Sequence, residues 1–213
     1  MSARSLTLIS LLCLFTFGLQ AQIEDNIIWA SVKLQKKLDQ KTSVFFEPIL
    51  RLNEDISAYE NSSIDIAIKR KILKDFSLQF LARTWFVPDA GDRQFLWLDL
   101  SYAKSFKKLK VSSYLRYHWA LDIEGRTDAD FLRWKANLFF LTKGKLQPFI
   151  GIEPWFRLNG AGELQRVRYE PGINYKINKA LLLTAKYWWE ESINLEPGFK
   201  FNIYVITLTY TLP

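Results

Sequence analysis

Tyr114-Leu115-Arg116-Tyr117-His118-Trp119-Ala120-Leu121 alternates along its whole length, with Leu115, Tyr117, Trp119 and Leu121 on one side of an extended chain and Arg116 and His118 on the other. Successive side chains of a β-strand point to opposite faces, so this stretch reads as a strand between an apolar and a polar environment. Leu96-Trp97-Leu98-Asp99-Leu100 and Phe131-Leu132-Arg133-Trp134-Lys135 repeat the pattern. It extends to eleven predicted strands: 28–38, 43–53, 63–72, 76–87, 96–103, 111–121, 131–142, 146–157, 166–176, 181–190 and 201–212. Over all of them the apolar face carries two charges, Lys36 and Arg70. Both lie beside short turns, where a long cationic side chain reaches the interface. The opposite face carries twenty charges, fourteen Lys or Arg and six carboxylates.

A soluble sandwich also alternates, but it buries its apolar face in a shared core and leaves its charges in bulk water. An apolar face this free of charge suits lipid, where an Arg or Lys at mid-bilayer costs about 2–4 kcal/mol. Short turns are expected near 39–41, 73–75, 106–108, 143–145 and 177–179, and longer loops near 54–62, 88–93, 122–130, 158–165 and 192–200. Short turns at one end and long loops at the other are the pattern of an outer-membrane barrel. The predicted fold is therefore all-β: a closed antiparallel transmembrane barrel of about 10–12 strands, with short periplasmic turns and longer external loops. A secreted soluble β-barrel or sandwich is the alternative.

Three features strain that reading. Pro48, Pro154 and Pro171 interrupt strands, and a closed barrel has no edge on which to hide a missing donor. Bulges or displaced strand ends are expected there. Eleven is odd, whereas single-chain bacterial barrels are normally even, so either a strand is missed or the first one is not part of the wall. The last strand is apolar on its inward side at Phe201, Ile203 and Val205. One expectation covers the last two features: residues 22–28 run inside the lumen and cover that apolar patch.

The ends place the chain. Arg4 precedes an apolar run from Leu6 to Leu19, too short to span a bilayer comfortably, and Leu19-Gln20-Ala21 offers a cleavage site. Residues 1–21 are read as a cleaved signal peptide and 22–213 as one barrel domain in the outer membrane of a Gram-negative bacterium; a retained anchor helix is the alternative. Cys13, the only cysteine, falls in that leader, and His118 is the only histidine. This excludes disulfides, a thiolate nucleophile and a multi-histidine zinc site from the expected mature chain. Without Arg4 the charge is +6, from 28 basic residues against 22 acids. The basic residues are spread along the chain without the patch that nucleic acid would require.

Several short motifs together resemble the outer-membrane barrel family known as domain of unknown function 2490. They are Trp29 before Lys36-Lys37-Leu38, Glu47 with Arg51, Leu115-Arg116-Tyr117-His118 and Phe131-Leu132-Arg133-Trp134-Lys135. Pro148-Phe149-Ile150-Gly151-Ile152-Glu153, Arg166-Val167-Arg168 with Tyr175, and the closing Leu208-Thr209-Tyr210 complete the set. The resemblance spans nearly all of the chain after the leader. It implies the fold and the location and brings no activity.

For chemistry, His118 is the one conventional general base, and its partners would have to come from another strand. Ser112, on the same face, lies about 20 Å away along the strand at 3.3 Å per residue. A hydrogen-bonded lumen residue is the default reading and a catalytic one the minority case. Glu47, Arg51, Arg83, Arg116, Arg133, Glu153, Arg166 and Arg168 are expected to form a charge network inside the barrel, since a buried charge needs a partner. No phosphate loop or metal-ligand spacing is present, so no cofactor or metal is expected. The inward charges total +8, which would favour anions in a water-filled lumen, although long side chains can equally fill a barrel this small. The expected function is thus a small outer-membrane barrel, structural or a narrow anion-favouring pore. The alternatives are a barrel-embedded hydrolase and a binding barrel that presents its loops to a partner. Expected partners are outer-membrane lipid and small anions, without nucleic acid.

Overall fold

The computed structural model describes residues 23–88, 91–121, 130–158, 162–195 and 198–213. The expected signal peptide and its cleavage site lie outside the described residues, as does most of the expected loop 122–130. Eleven strands follow one another: β1 (Ile23–Lys37), β2 (Thr42–Asn53), β3 (Ala58–Lys71), β4 (Phe76–Val87), β5 (Gly91–Ser105) and β6 (Leu109–Leu121), then β7 (Phe131–Phe140), β8 (Leu146–Arg157), β9 (Leu164–Lys176), β10 (Leu181–Ser192) and β11 (Phe199–Leu212). Each consecutive pair is antiparallel, and the sheet closes on itself through β1 and β11.

That closure is parallel, with Ile27 opposite Ile203 and Ser31 opposite Thr207. Every hairpin reverses the chain, so the first and last of an odd number of strands run the same way. The expected all-antiparallel barrel is therefore corrected to a mixed one, and the odd count needs no missing strand. The internal segment predicted for residues 22–28 is corrected too. Ile23–Ile28 belong to the wall, in register with Phe199–Tyr204. The apolar patch is covered from the side instead: Ile27 clusters with Trp188, Ile203 and Val205, and Trp29 and Phe201 pack against them. Ile203 is 2% exposed.

The alternation predicted from sequence holds on both faces. Outward side chains such as Ile66, Leu98, Ile150 and Ile206 are exposed, whereas inward ones such as Leu81, Trp97, Asp99 and Arg133 are buried. Two of the short turns use a side-chain acceptor to organise the reversal. Asp39 Oδ1 accepts the backbone N–H of Lys41 (2.6 Å) and Thr42 (2.7 Å), and Asn178 Oδ1 accepts those of Ala180 (2.8 Å) and Leu181 (2.9 Å). The expected loop 54–62 is shorter than predicted, because β3 already starts at Ala58. The remaining turn holds Glu54, Asp55 and Ile56 at positive φ, and Asp25 accepts the N–H groups of Glu54 and Asp55. The expected loop 88–93 likewise yields to β5, which starts at Gly91.

The prolines do not end strands, and of the bulges expected at them one is present, beside Pro154. Each follows an inward glutamate, as Glu47-Pro48, Glu153-Pro154 and Glu170-Pro171. At each, the pairing with one neighbouring strand skips two residues. The gaps lie between Ser31↔Ile49 and Leu34↔Phe46, between Arg133↔Trp155 and Ala136↔Ile152, and between Lys186↔Gly172 and Trp189↔Tyr169. Pairing on the other side of each proline is continuous. The missing donor thus interrupts one ladder locally, and the wall stays closed. The bulge beside Pro154 lies at Trp155/Phe156, and a second lies at Arg51/Leu52, three residues beyond Pro48.

Gly172 faces inward beneath a ring. A Cβ there would stand 2.8 Å from both Phe149 Cε1 and Lys186 Cβ, whereas one at Gly144, in the β7–β8 turn, would meet nothing within 4 Å. Gly172→Ala is expected to destabilise the barrel by about 1–3 kcal/mol. Gly144→Ala should change stability by less than about 0.5 kcal/mol. Urea unfolding of the two variants in parallel checks both.

Candidate functional site: the barrel interior

The inward positions of neighbouring strands bring acids and guanidinium groups into register. Asp65 of β3 lies opposite Arg83 of β4, and Asp99 of β5 opposite Arg116 of β6. Both become two-pronged pairs: Arg83 Nε and Nη2 reach Asp65 at 2.5 and 2.6 Å, and Arg116 Nε and Nη2 reach Asp99 at 2.6 and 2.7 Å. Gln79 donates a third bond to Asp99 at 3.0 Å. Planar forks of this kind match a carboxylate on both edges, which lysine cannot do.

The centre of the interior is Glu153, which is 1% exposed. It accepts from Arg133 Nη2 (2.8 Å), Arg168 Nη1 (3.2 Å) and the Tyr114 hydroxyl (2.7 Å). Arg168 also donates to Glu190, which takes a further bond from Arg166 at 2.9 Å. A second centre is Glu170, held by Lys135 (2.6 Å), Lys186 (3.4 Å) and the Trp188 indole N–H. Of the eight residues predicted to form one network, Arg133, Glu153, Arg166 and Arg168 are joined through Glu190. Arg83 and Arg116 sit in their own pairs. Glu47 is bound by Lys33 (3.4 Å) and the Ser31 hydroxyl (2.9 Å), and Arg51 by Glu60 (3.0 Å). The ion pairs form several groups rather than one chain.

Tryptophan rings fill the spaces between those groups. Trp97 lies under Arg116 (4.1 Å), Arg83 (4.3 Å) and Arg133 (5.4 Å), measured from the guanidinium carbon to the ring centroid. Trp155 lies under Arg133 (3.6 Å), Trp188 under Arg168 (4.0 Å) and Trp29 under Arg51 (4.2 Å). Such stacking is favourable when the cation has lost its water.

Sequence reading missed Glu60. It is the extra residue of the β-bulge that pairs Arg51 with Asn61 and Leu52 with Tyr59, and it sat within a predicted loop. An irregularity that turns a residue inward leaves no trace in a period-two pattern. Glu190 and Tyr114 were also left out of the predicted network.

His118 is buried in an aromatic box, with ring centroids of Phe95, Trp97, Phe131 and Trp155 at 4.9, 5.2, 5.9 and 6.3 Å. Neither ring nitrogen has a hydrogen-bond partner among the described residues. Ser113, its neighbour in sequence, accepts a bond from Trp134 Nε1 instead. Among the described residues the geometry therefore pairs His118 with no nucleophile. Among the described residues no group of three or more His, Cys, Asp or Glu could hold a metal ion. A cavity of about 510 Å³ remains, running from Glu60, Arg93 and Arg166, each the third residue of its strand at the loop end, down to Phe45 and Gln79, each the fourth residue of its strand at the turn end.

Residues 26–196 match the model of a family described as Protein of unknown function (DUF2490). No curated protein matches the chain.

Removing one partner of a buried pair leaves uncompensated charge, at about 3–5 kcal/mol. Glu153→Gln leaves the charges of Arg133 and Arg168 without their shared counter-ion and is expected to lose that much stability. Glu191→Gln breaks only the partly exposed pair with Lys200 (3.5 Å) and should lose less than about 1 kcal/mol. Denaturant midpoints of the two variants distinguish these outcomes.

Proposed function

The chain belongs to the DUF2490 family of proteins of unknown function, and we propose that it is a small outer-membrane barrel whose lumen is filled by its own side chains, a structural membrane barrel rather than an open pore. The observation that carries this reading is the inverted burial of the fold. Large apolar side chains are exposed all round the outside, and ionised ones are buried inside. Among them are Ile66 at 59% exposure, Ile150 at 53% and Leu98 at 45%. Apolar surface so extensive marks an interaction with something apolar, and its distribution around the barrel suits a bilayer.

Other features point the same way. Each strand has at least ten residues, enough to cross the hydrocarbon core when tilted. Exposed aromatic residues lie toward both ends of the strands: Tyr59, Phe86, Trp119 and Trp189 toward the loops, and Phe76, Phe140, Tyr175 and Tyr210 toward the turns. Aromatic girdles of this kind flank the apolar band of membrane barrels. Lys41, Lys74, Lys107, Lys108, Lys143, Lys145 and Lys179 occupy the turns, at headgroup level in this reading. The N-terminal leader supports export.

The choice of a filled barrel over a pore rests on Asp99, Arg116, Arg133, Lys135, Glu153, Arg168 and Glu170, all buried. Water-filled channels hydrate such groups, whereas here they hydrogen-bond one another, between neighbouring strands or, for Lys135 and Glu170, across the intervening β8.

In planar bilayers the purified protein is expected to insert without unit conductance steps. Chloride-selective steps would replace this reading with a narrow anion-favouring pore. Leu98→Arg, at the middle of β5, should reduce assembly into vesicles by the equivalent of about 2–4 kcal/mol, and Leu98→Val should not. A wild-type chain that stays folded and monodisperse in water without detergent or lipid would remove the membrane reading.

A further inference from the structure

The lumen cavity has more hydrogen-bond donors than the protein satisfies. The indole N–H groups of Trp29, Trp85, Trp97 and Trp155 and the Nε–H groups of Arg51 and Arg166 are buried without a partner among the described residues. All six residues line this one cavity, together with His118, whose two ring nitrogens are also unpartnered. Trp97, Trp155 and His118 are more than nine-tenths buried. Buried indoles in this barrel do otherwise find acceptors, since the Trp188 N–H bonds Glu170. Concentrating orphan donors in one place is unusual, because buried polar groups are nearly always paired. Against these donors the unpaired lining acceptors among the described residues are two, Glu60 Oε2 and whichever nitrogen of the His118 ring carries no proton.

We propose that this cavity is a binding site for a small amphipathic organic anion: a carboxylate, sulfonate or phosphate carried on an aromatic or acyl body. A surplus of N–H donors calls for a ligand rich in acceptors. Arg51 and Arg166 supply positive charge on two sides, each using one nitrogen for a protein carboxylate (Glu60 at 3.0 Å, Glu190 at 2.9 Å) and leaving Nε unbonded. The indole and phenyl faces of Trp29, Trp155 and Phe131 provide flat apolar walls, which would be wasted on a fully hydrated inorganic ion. A volume of about 510 Å³ falls within the range of small-molecule sites. The lining reaches the loop end at Glu60, Arg93 and Arg166, and in the membrane reading the ligand enters there, from outside. The proposal itself needs only the barrel.

The test uses the full chain in phosphatidylcholine nanodiscs, titrated calorimetrically and by tryptophan fluorescence. The probes are naphthalene-2-carboxylate, its neutral analogue naphthalene-2-methanol, and inorganic phosphate. Naphthalene-2-carboxylate is expected to bind saturably at one site per chain and at least tenfold tighter than either other probe. Arg51→Gln and Arg166→Gln should each weaken carboxylate binding at least tenfold while leaving the weak binding of the alcohol unchanged. Lys41→Gln, at the opposite end, should have no effect. Equal affinity for carboxylate and alcohol, or no saturable binding, overturns the proposal, and this comparison stands on the wild-type chain even if an arginine variant does not fold. Folding in water without lipid would defeat the membrane reading alone, and the same titration of that soluble barrel would still decide the site.

Discussion

A sheet that is apolar on its outside cannot leave an edge, because an unpaired row of N–H and C=O groups has no partner in an apolar surrounding. Eleven strands joined by hairpins meet this demand in one way, through a parallel β1–β11 seam. Parallel pairing is slightly weaker per residue than antiparallel, and side chains reinforce it here. Ser31 donates its hydroxyl hydrogen to Glu47 at 2.9 Å and lies 2.8 Å from Thr207 Oγ1, which donates to it in return, tying β2, β1 and β11 together. Beside this chain, Ile27 and Ile203 meet across the seam, and Trp29 contacts Trp188 edge-on with ring centroids 4.9 Å apart. The two sets of contacts occupy successive inward positions of the same strands, and their different chemistry discourages a shift of the seam by two residues.

The repeated Glu-Pro pairs show how the wall tolerates local defects. Proline removes one ladder donor, and the preceding glutamate points inward to meet cations: Lys33 for Glu47, Arg133 and Arg168 for Glu153, Lys135 and Lys186 for Glu170. Each site thus has a weakened backbone ladder and a charge-assisted side-chain link at the same height. Such links are stronger than neutral hydrogen bonds. At β1–β2 the link spans the very strands whose ladder is interrupted, and at β7–β8 the Arg133–Glu153 bond does the same. At β9–β10 the corresponding links are Lys186 and the Trp188 indole on Glu170.

Which parts of this were legible in the sequence follows from what period two records. It records which face a side chain takes, so strand existence, the barrel class and the inward set that includes Arg83, Arg116, Arg133 and Glu153 could be read directly. It does not record which strands meet at closure, since β1 and β11 lie at opposite ends of the chain. The expectation that residues 22–28 enter the lumen comes from that gap, whereas Ile23–Ile28 belong to β1. It also fails where a rim strand is polar on both faces: Ala58-Tyr59-Glu60-Asn61-Ser62 looks like a loop, and the bulge that delivers Glu60 to Arg51 is invisible. The division of the charges into separate groups was hidden for another reason. Alternation says that Arg116 and Arg133 both point inward, but only three-dimensional register assigns the first to Asp99 and the second to Glu153. His118 illustrates the remaining limit, because one imidazole on an inward face reads the same beside a serine as inside an aromatic box.

The buried pairs matter more for which fold forms than for how stable it is. Replacing a buried ion pair with apolar residues of similar volume is often neutral or stabilising, so the interior charges of this barrel are poor evidence of net stabilisation. Their effect appears when alternatives are compared. A slip of one residue between strands turns every side chain of the slipped strand to the other face. An apolar lumen facing an apolar exterior would barely register that error. With Arg83, Arg116, Arg133 and Arg168 inside, a slipped strand places a guanidinium on the apolar outer face and strands its carboxylate partner within. A slip of two residues keeps the face but separates each fork from its acid, and the Asp65–Arg83 and Asp99–Arg116 pairs tolerate little displacement. The charges therefore penalise both kinds of misregistration, at the cost of a lumen that must be paired group by group. Among the described residues the unpaired donors gather in the lumen cavity, on strands whose register the ion pairs already hold.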